Sequence, residues 1–218
     1  MTAHLPVIVL GAGGHAMVVA EALLSAGIEV LGFTDADAGQ KGRLLCGMPI
    51  LGADAELQGF RTDQVRLANG IGSVRNESMS LRRKVQTQLE SEGWIFVSVV
   101  HADARVSRFA KLGPCVQLMA GCVVQAGAEL GAAVIVNTSA VVDHGVRLGA
   151  WSHVATGAIV CGDVTIGDAS HVGAGAVVRQ GLTLGPNSLI GIGAAVVADF
   201  PGEGTLTGVP ARPIELHS

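Results

Sequence analysis

His144 is a candidate for acid–base chemistry, and the residue eighteen positions after it is Gly162. If the chain repeats its path every eighteen residues, the imidazole lies beneath a residue without a side chain, in a slot about 4.8 Å high. Such a slot offers a base for an attacking nucleophile and a peptide N–H for a developing oxyanion. The spacing therefore predicts an acyl-transfer pocket between these two residues. The alternative is that His144 is an ordinary surface residue on a polar corner.

A repeat of six residues is the feature that would hold these positions in place. Isoleucine, leucine or valine occupies every sixth position from Val100 to Val196, seventeen times in succession. A small or β-branched residue follows four positions after almost every one, with Cys122 and Leu182 as departures. An α-helix would scatter a six-residue period around its axis, whereas short strands place both markers inward. The repeat predicts a triangular solenoid of parallel strands with three hexads to a coil.

Glycine recurs at one corner of the predicted solenoid. It follows the aliphatic residue in Leu112-Gly113, Leu130-Gly131, Leu148-Gly149, Ile166-Gly167 and Leu184-Gly185. We attribute this period of eighteen to a backbone conformation that other residues resist. The same arithmetic stacks His153 beneath His171. The spacing does not determine the hand of the coil.

A different pattern precedes the repeat. Pro6 to Leu10 is an apolar strand, residues 11–16 form a glycine-rich turn, Met17 to Ser25 is a helix, and Gly27 to Phe33 is a second strand that ends near Asp35 and Asp37. Backbone N–H groups at the start of such a helix favour phosphate, and a carboxylate after the second strand can bind a ribose or base. A tight turn without a ligand is the alternative.

The rest of this region is short. It holds a predicted strand at Val65 to Ala68, a turn around Gly70, a helix from Glu77 to Glu90 and a strand from Trp94 to Val99. That is half of a dinucleotide-binding fold, so a mononucleotide or nucleotide-linked sugar fits better than NAD. We expect two domains, residues 1–98 and 99–218. Gly70 lies either against the ligand or in an ordinary turn.

Composition excludes several classes of protein. A net charge of −4 disfavours a nucleic-acid surface. The uncharged stretch from Gln180 to Ala198 keeps the six-residue period, so we do not expect membrane insertion, and the apolar run at Leu5 to Leu10 is too short for a signal peptide. The four cysteines lack C-x-x-C spacing, which favours reduced thiols and a cytoplasmic location.

Several segments together carry a resemblance to a known family. They are the hexads with Leu-Gly corners, residues 137–144 (NTSAVVDH), residues 151–154 (WSHV), residues 208–212 (GVPAR), and the GAGGH turn with Asp35. The chain resembles the hexapeptide-repeat acyltransferases, and within them the bacterial nucleotide-amino-sugar N-acetyltransferases, a group that includes GDP-perosamine N-acetyltransferases. The resemblance implies a Rossmann-like domain followed by a left-handed parallel β-helix, with a part in polysaccharide biosynthesis.

The same resemblance implies an activity and its residues. The protein would transfer acetyl from acetyl-CoA to the amine of a UDP- or GDP-linked 4-amino-4,6-dideoxy sugar, without a metal, as a homotrimer with acetyl-CoA between adjacent β-helices. His144 would be the base, Gly162 the N–H donor to the thioester, and Asn137 a neighbour of the amine. The implied acetyl-CoA contacts are His153, Gly162, Ala174 and Ile192. The implied nucleotide-sugar contacts are Gly13, Gly14, His15, Asp35 and Gly70.

One position departs from the family's pattern. Close relatives often place a carboxylate directly after the catalytic histidine, whereas this chain has Gly145 there and an acid only before it, at Asp143. Adjacent strand residues point to opposite sides, so Asp143 is not assured of reaching the ring. The sequence therefore leaves open what tunes the base.

Three alternatives remain at the level of sequence. The first is O-acetylation of a sialic-acid-type sugar. The second is a zinc enzyme resembling carbonic anhydrase, with His144, His153 and His171 as ligands at a trimer interface. The third is a non-catalytic nucleotide-sugar binder in which the solenoid only assembles the protein. A covalent route through Cys161 is less favoured than direct transfer, because no neighbouring base is evident.

Overall fold

The computed structural model describes residues 5–72 and 76–214, which form two compact units with the boundary between Ala102 and Asp103. The first unit is an α/β sheet and the second is a parallel β-helix. Among the described residues, neither α-helix combines the length and apolarity needed to cross a membrane.

The sheet of the first unit has five strands in the order β3–β4–β2–β1–β5, and the short strand β6 (Val99–Val100) is not part of it. Strands β1, β2, β4 and β5 run parallel, and β3 pairs antiparallel with β4. All four residues of β1 are buried, as expected for a parallel strand covered on both faces. The bounds are β1 Val7–Leu10, α1 Gly14–Ser25, β2 Val30–Thr34, β3 Leu44–Leu45, β4 Met48–Gly52, β5 Arg66–Asn69, α2 Asn76–Ser91 and β6 Val99–Val100, with 3-10 helices at Ala38–Gln40 and Asp54–Gly59.

The predicted strand–turn–helix–strand start is confirmed, with shifted bounds. Helix α1 begins at Gly14 rather than Met17, because Gly13 already serves as its N-cap. The predicted strand at Trp94 to Val99 is wrong in extent: Phe96 makes one isolated bridge, to Leu67, and a regular strand begins only at Val99.

The hairpin of β3 and β4 was not predicted from the sequence. Its turn residues Cys46 and Gly47 have φ angles of 51° and 78°. Two positive φ angles define the tight hairpin turn that usually carries Asn-Gly or Asp-Gly. Cysteine in the first turn position gives no such signal.

The second unit is built from strands of two to four residues that stack in three faces. Successive coils pair in parallel with a shift of eighteen residues, for example Val142 with Val160. Face 1 holds β7 Arg105–Val106, β10 Val123–Val124, β13 Val141–Val142, β16 Ile159–Val160, β19 Val177–Val178 and β22 Ala195–Val196. Face 2 holds β8 Lys111–Leu112, β11 Glu129–Leu130, β14 Arg147–Leu148, β17 Thr165–Ile166 and β20 Thr183–Leu184. Face 3 holds β9 Gln117–Leu118, β12 Ile135–Val136, β15 His153–Val154, β18 His171–Val172, β21 Ser188–Ile190, β23 Gly204–Thr207 and β24 Arg212–Ile214.

The aliphatic residues of the six-residue repeat form the core of this prism. From Leu118 to Val196 every one of them is buried, and the small residues that follow them are buried with them, including Cys122 and Leu182. Leu112, in the first coil, is 40% exposed. Because each buried aliphatic side chain contributes about 1.5–3 kcal/mol, the column fixes the register of all the coils together.

The explanation offered for the corner glycines is wrong. Gly113, Gly131, Gly149, Gly167 and Gly185 are not among the residues at positive φ. The obstacle is steric: a Cβ at Gly131 would lie 2.7 Å from the backbone nitrogen of Ala150 in the next coil. Glycine recurs there because successive coils approach too closely for a side chain.

Candidate active site

The corner between faces 1 and 2 carries His144. After β13 the chain turns through Asp143, His144 and Gly145, and one coil later β16 is followed by Cys161, Gly162 and Asp163. The pairing of Val142 with Val160 sets Gly162 above His144, and the Asp163 N–H donates to the His144 carbonyl at 2.9 Å. The predicted stacking of positions 144 and 162 is confirmed.

The imidazole of His144 points outward and covers Gly162. A Cβ at position 162 would lie 2.5 Å from Nε2 and 3.0 Å from Nδ1. The His144 side chain is 57% exposed, whereas Gly162 is buried. The sequence predicted this arrangement, in which the imidazole is open to solvent on one side and lies against bare backbone on the other.

The backbone N–H of Gly162 is available for a ligand. Its neighbours are both engaged: Cys161 donates to the Val178 carbonyl at 3.1 Å, and Asp163 donates to His144. Within residues 5–72 and 76–214, the Gly162 N–H donates to no protein acceptor. A backbone N–H without a protein acceptor remains able to donate to a bound ligand.

Two carboxylates lie near His144, and they do different things. Asp143 Oδ1 accepts the backbone N–H of His144 at 2.7 Å, so this side chain holds the corner rather than the ring. Asp163 Oδ1 lies 3.8 Å from His144 Nδ1. The carboxylate that faces the imidazole thus comes from the next coil.

The corner between faces 3 and 1 carries a second group of site candidates. Asn137 Nδ2 and His153 Nε2 lie 3.2 Å apart, and Asn137 Oδ1 accepts the Thr138 N–H at 2.8 Å. His153 pairs in register with His171, with ring centroids 4.8 Å apart and planes at 88°. The predicted stacking of these two histidines is confirmed, and both are buried.

Ala174 and Ile192 lie in one column of this second corner. They stand eighteen residues apart, and the Gly193 N–H donates to the Ala174 carbonyl at 2.9 Å. Ile192 is 83% exposed, so its side chain is accessible at this corner. Face 1 separates this corner from His144, so a single chain does not bring Asn137, His153, Ala174 or Ile192 to the imidazole.

The first unit contains a pocket of about 400 Å³ at the carboxyl ends of β1, β2 and β5. All five predicted nucleotide-sugar residues line it: Gly13, Gly14, His15, Asp35 and Gly70. A Cβ at Gly13 or Gly14 would meet nothing within 4 Å, so these glycines leave open space at the start of α1. The first turn of a helix attracts phosphate through its free N–H groups.

Gly70 has a packing reason of its own. A Cβ there would lie 2.6 Å from the Leu10 carbonyl oxygen and 2.8 Å from the Ala16 Cβ. The residue therefore allows β5 to approach β1 and α1, in addition to lining the pocket.

The carboxylates after β2 differ in position. Asp35 lines the pocket and accepts the Asp37 N–H at 2.8 Å. The carboxylate of Asp37 accepts hydrogen bonds from the Gln40 side-chain amide and from the Gly39 N–H, and the second of these caps the following 3-10 helix. These hydrogen bonds lower the pKa of the Asp37 carboxyl group. Asp37 is not among the residues that line the pocket.

No group of three or more histidine, cysteine, aspartate or glutamate side chains that could hold a metal ion occurs in the described part of the chain. The three histidines of the zinc alternative also lie apart in one chain, because His144 is on a different corner from His153 and His171.

Comparison with known proteins identifies the family. The PglD N-terminal domain family matches residues 6–89. The acetyltransferase domain of PglB from Neisseria gonorrhoeae superposes with a TM-score of 0.89 at 35% identity, covering 97% of this chain and 100% of that one. A mutant of perosamine N-acetyltransferase from Caulobacter crescentus, solved with CoA and GDP-perosamine, gives 0.89 at 36% identity over 96% of this chain and 97% of that one. This chain belongs to that family of sugar N-acetyltransferases.

Two further comparisons concern a more distant solved structure and the curated protein sequences. WeeI from Acinetobacter baumannii matches with a TM-score of 0.84 at 23% identity, over 97% of this chain and 100% of that one, which shows the shared fold. No curated protein sequence matches the chain significantly. The corner at His144 combines an exposed imidazole with a backbone N–H that has no acceptor among the described residues.

Sequence reasoning missed two carboxylates of this N-acetyltransferase. Asp54 lines the pocket of the first unit, where its Oδ1 accepts the Thr34 hydroxyl at 2.6 Å. Prediction of β4 would have placed Asp54 at the strand end beside Asp35. The other is Asp163. The repeat of eighteen residues stacks position 163 on position 145, where close relatives often carry a carboxylate, so the sequence did contain a signal for it.

Proposed function

We propose that this N-acetyltransferase moves acetyl from acetyl-CoA directly to the amine of a nucleotide-linked 4-amino-4,6-dideoxy sugar, with His144 as the general base. One observation carries the proposal: an outward-facing imidazole seated against a glycine whose N–H has no acceptor among the described residues. A base and an oxyanion donor within one slot are what attack on a thioester requires.

The reaction proceeds in a ternary complex. The amine nitrogen attacks the thioester carbonyl, a C–N bond forms, and His144 takes a proton from the amine. The Gly162 N–H donates to the carbonyl oxygen as negative charge develops on it. The C–S bond then breaks, and CoA leaves as a thiolate that recovers the proton from His144.

The first unit is assigned the nucleotide. Its pocket offers the N-terminus of α1 to a diphosphate, and it offers the carboxylates of Asp35 and Asp54 to a ribose or base. The perosamine N-acetyltransferase was solved with GDP-perosamine, which supports a GDP-linked acceptor as the first to test. UDP- and dTDP-linked sugars are the necessary comparisons.

A homotrimer is part of the proposal. From β10 to β22 the outward residues of face 1 are apolar, whereas the first strand of that face, β7, carries Arg105. The outward residues of face 2 are polar or charged. The first set is Val123, Val141, Ile159, Val177 and Ala195. The second is Lys111, Glu129, Arg147, Thr165 and Thr183. An apolar sheet face flanked by both candidate corners favours packing between subunits, with acetyl-CoA between the His144 corner of one and the Ile192 corner of the next.

The state of the cysteines indicates the compartment in which the enzyme acts. All four cysteines are free thiols, as is usual in a reducing compartment. We therefore propose that the enzyme acts in the cytoplasm, on a nucleotide sugar destined for polysaccharide.

The decisive experiment is an assay of thiol release from acetyl-CoA with GDP-, UDP- and dTDP-linked 4-amino-4,6-dideoxy sugars, and with the matching 4-hydroxy sugars. We expect turnover of an amino sugar and a fall of about 10²–10⁴ in kcat for His144→Ala, the usual worth of a general base. Full activity of His144→Ala would overturn the role of the base. If only the 4-hydroxy sugars were turned over, the reaction would be O-acetylation rather than the proposed N-acetylation.

A further inference from the structure

Asp163 occupies a backbone position that otherwise belongs to glycine. In four successive coils the third residue of this corner has positive φ: Gly127 at 76°, Gly145 at 65°, Asp163 at 59° and Gly181 at 73°. Residues with side chains are disfavoured in this left-handed region, although Asp and Asn are tolerated best. The one side chain in the column therefore stands in the coil next to His144.

The carboxylate of Asp163 fills the space that a side chain at position 145 would need. A Cβ on Gly145 would collide with Asp163 Oδ1 and would lie 3.4 Å from its Cγ. The same Oδ1 lies 3.8 Å from His144 Nδ1. A negative charge thus stands beside the ring, where the residue following His144 would otherwise project.

Three other aspartates of the β-helix have a structural explanation that Asp163 lacks. Asp143, Asp168 and Asp199 each accept a backbone N–H, from His144, Ala150 and Thr183, at 2.7–2.8 Å. The carboxylate of Asp163 accepts no hydrogen bond from the described residues, and the one ion-pair partner within 4 Å of it among them would be the imidazole of His144. Capping of the backbone therefore does not account for it.

We propose that Asp163 is the positioning residue for His144, supplying from the next coil the negative charge that Gly145 cannot. This inference rests on His144 being the base of the proposed reaction. When His144 takes the proton from the amine, the carboxylate at Nδ1 stabilises the imidazolium and keeps Nε2 toward the acceptor. Because both side chains are more than half exposed, water screens the pair, and its effect is moderate.

The test is a double-mutant cycle between positions 163 and 144. Asp163→Asn keeps the shape and tolerates positive φ but removes the charge, so we expect kcat to fall about threefold to fivefold with both KM values unchanged. In the His144→Ala background, the same substitution should change the residual rate by less than twofold. Asp168→Asn is the matched control and should leave kcat unchanged.

The exchange Gly145→Asp with Asp163→Gly moves the carboxylate to the position after His144. We expect it to recover most of the kcat that Asp163→Gly loses, with a Tm near that of Asp163→Gly. A kcat of Asp163→Asn within twofold of the unaltered enzyme, or an equal loss in the His144→Ala background, overturns the inference. The inference is also overturned if the exchange variant folds but recovers none of the kcat that Asp163→Gly loses. Full activity of His144→Ala contradicts instead the role of His144 as the base in the proposed function, so the two failures are distinguishable.

Discussion

The imidazole of His144 lies so close to Gly162 that a side chain at position 162 would strike it, with a Cβ 2.5 Å from Nε2. Both residues owe their positions to the pairing of Val142 with Val160, one coil apart. The catalytic geometry that we propose is therefore a consequence of the coil register and of one missing side chain.

Replacement of Gly162 by alanine should displace the base without unfolding the chain. The added methyl group meets the end of an exposed side chain rather than backbone, so the imidazole moves aside. We expect kcat to fall about 100-fold, as for loss of general-base catalysis, with little change in Tm. Gly59→Ala is the control, because a Cβ there meets nothing within 4 Å. Unchanged kcat in Gly162→Ala would show that the slot is not used.

Replacement of Ile159 by lysine should disrupt the proposed trimer. Ile159 is 39% exposed and lies in the middle of the apolar face 1. A charge buried in an interface without a partner is costly, so subunits should separate and kcat/KM should fall with them. Sedimentation velocity measures the change in mass. Thr165→Lys, on the polar face 2, should leave both mass and activity unchanged. A trimer that survives Ile159→Lys would place the interface elsewhere.

Replacement of Gly14 by valine should weaken binding of the nucleotide sugar alone. Position 14 opens onto the pocket at the start of α1, and an isopropyl group would occupy space proposed for the diphosphate. We expect KM for the nucleotide sugar to rise at least about tenfold, or 1.4 kcal/mol, while KM for acetyl-CoA stays constant. Initial-rate measurements with each substrate varied in turn give both constants. Gly59→Val controls for the bulk of the side chain. If the KM for acetyl-CoA rose instead, the pocket at the start of α1 would bind acetyl-CoA rather than the nucleotide sugar.

Stability should fall between about pH 9 and pH 11 because of Cys122. Burial raises the pKa of this thiol from 9.0 to about 11. The thiol of the unfolded chain loses its proton at a lower pH than the buried thiol does. Rising pH therefore stabilises the unfolded state relative to the folded state, and the free energy of unfolding drops by up to roughly 2–3 kcal/mol. Denaturant titrations at several pH values measure the slope, and tyrosine does not interfere because the chain has none. In Cys122→Ala this part of the slope should vanish, and parallel slopes in the two proteins would contradict the prediction.

Some features of the site follow from local chemistry and were within reach of the sequence. The glycine turn and Asp35 could be assigned to one pocket because parallel strands end at a common edge. Asp54 could not, because it follows β4, and the Cys46-Gly47 turn that begins β4 lacks the usual residues of a tight hairpin.

The sequence by itself determined the coil of the second unit, because an aliphatic residue at every sixth position has one arrangement that buries all of them. That register already stacked His144 under Gly162 and His153 under His171. The same register already assigned Asn137 and Ile192 to a different corner from His144. Only the tertiary structure decided where the side chains at the corners point, because it turned Asp143 toward the backbone and brought Asp163 to the ring. The physical reason is that burial of apolar residues fixes where each residue stands along the coil, while hydrogen bonds and backbone angles at the corners fix where its side chain points.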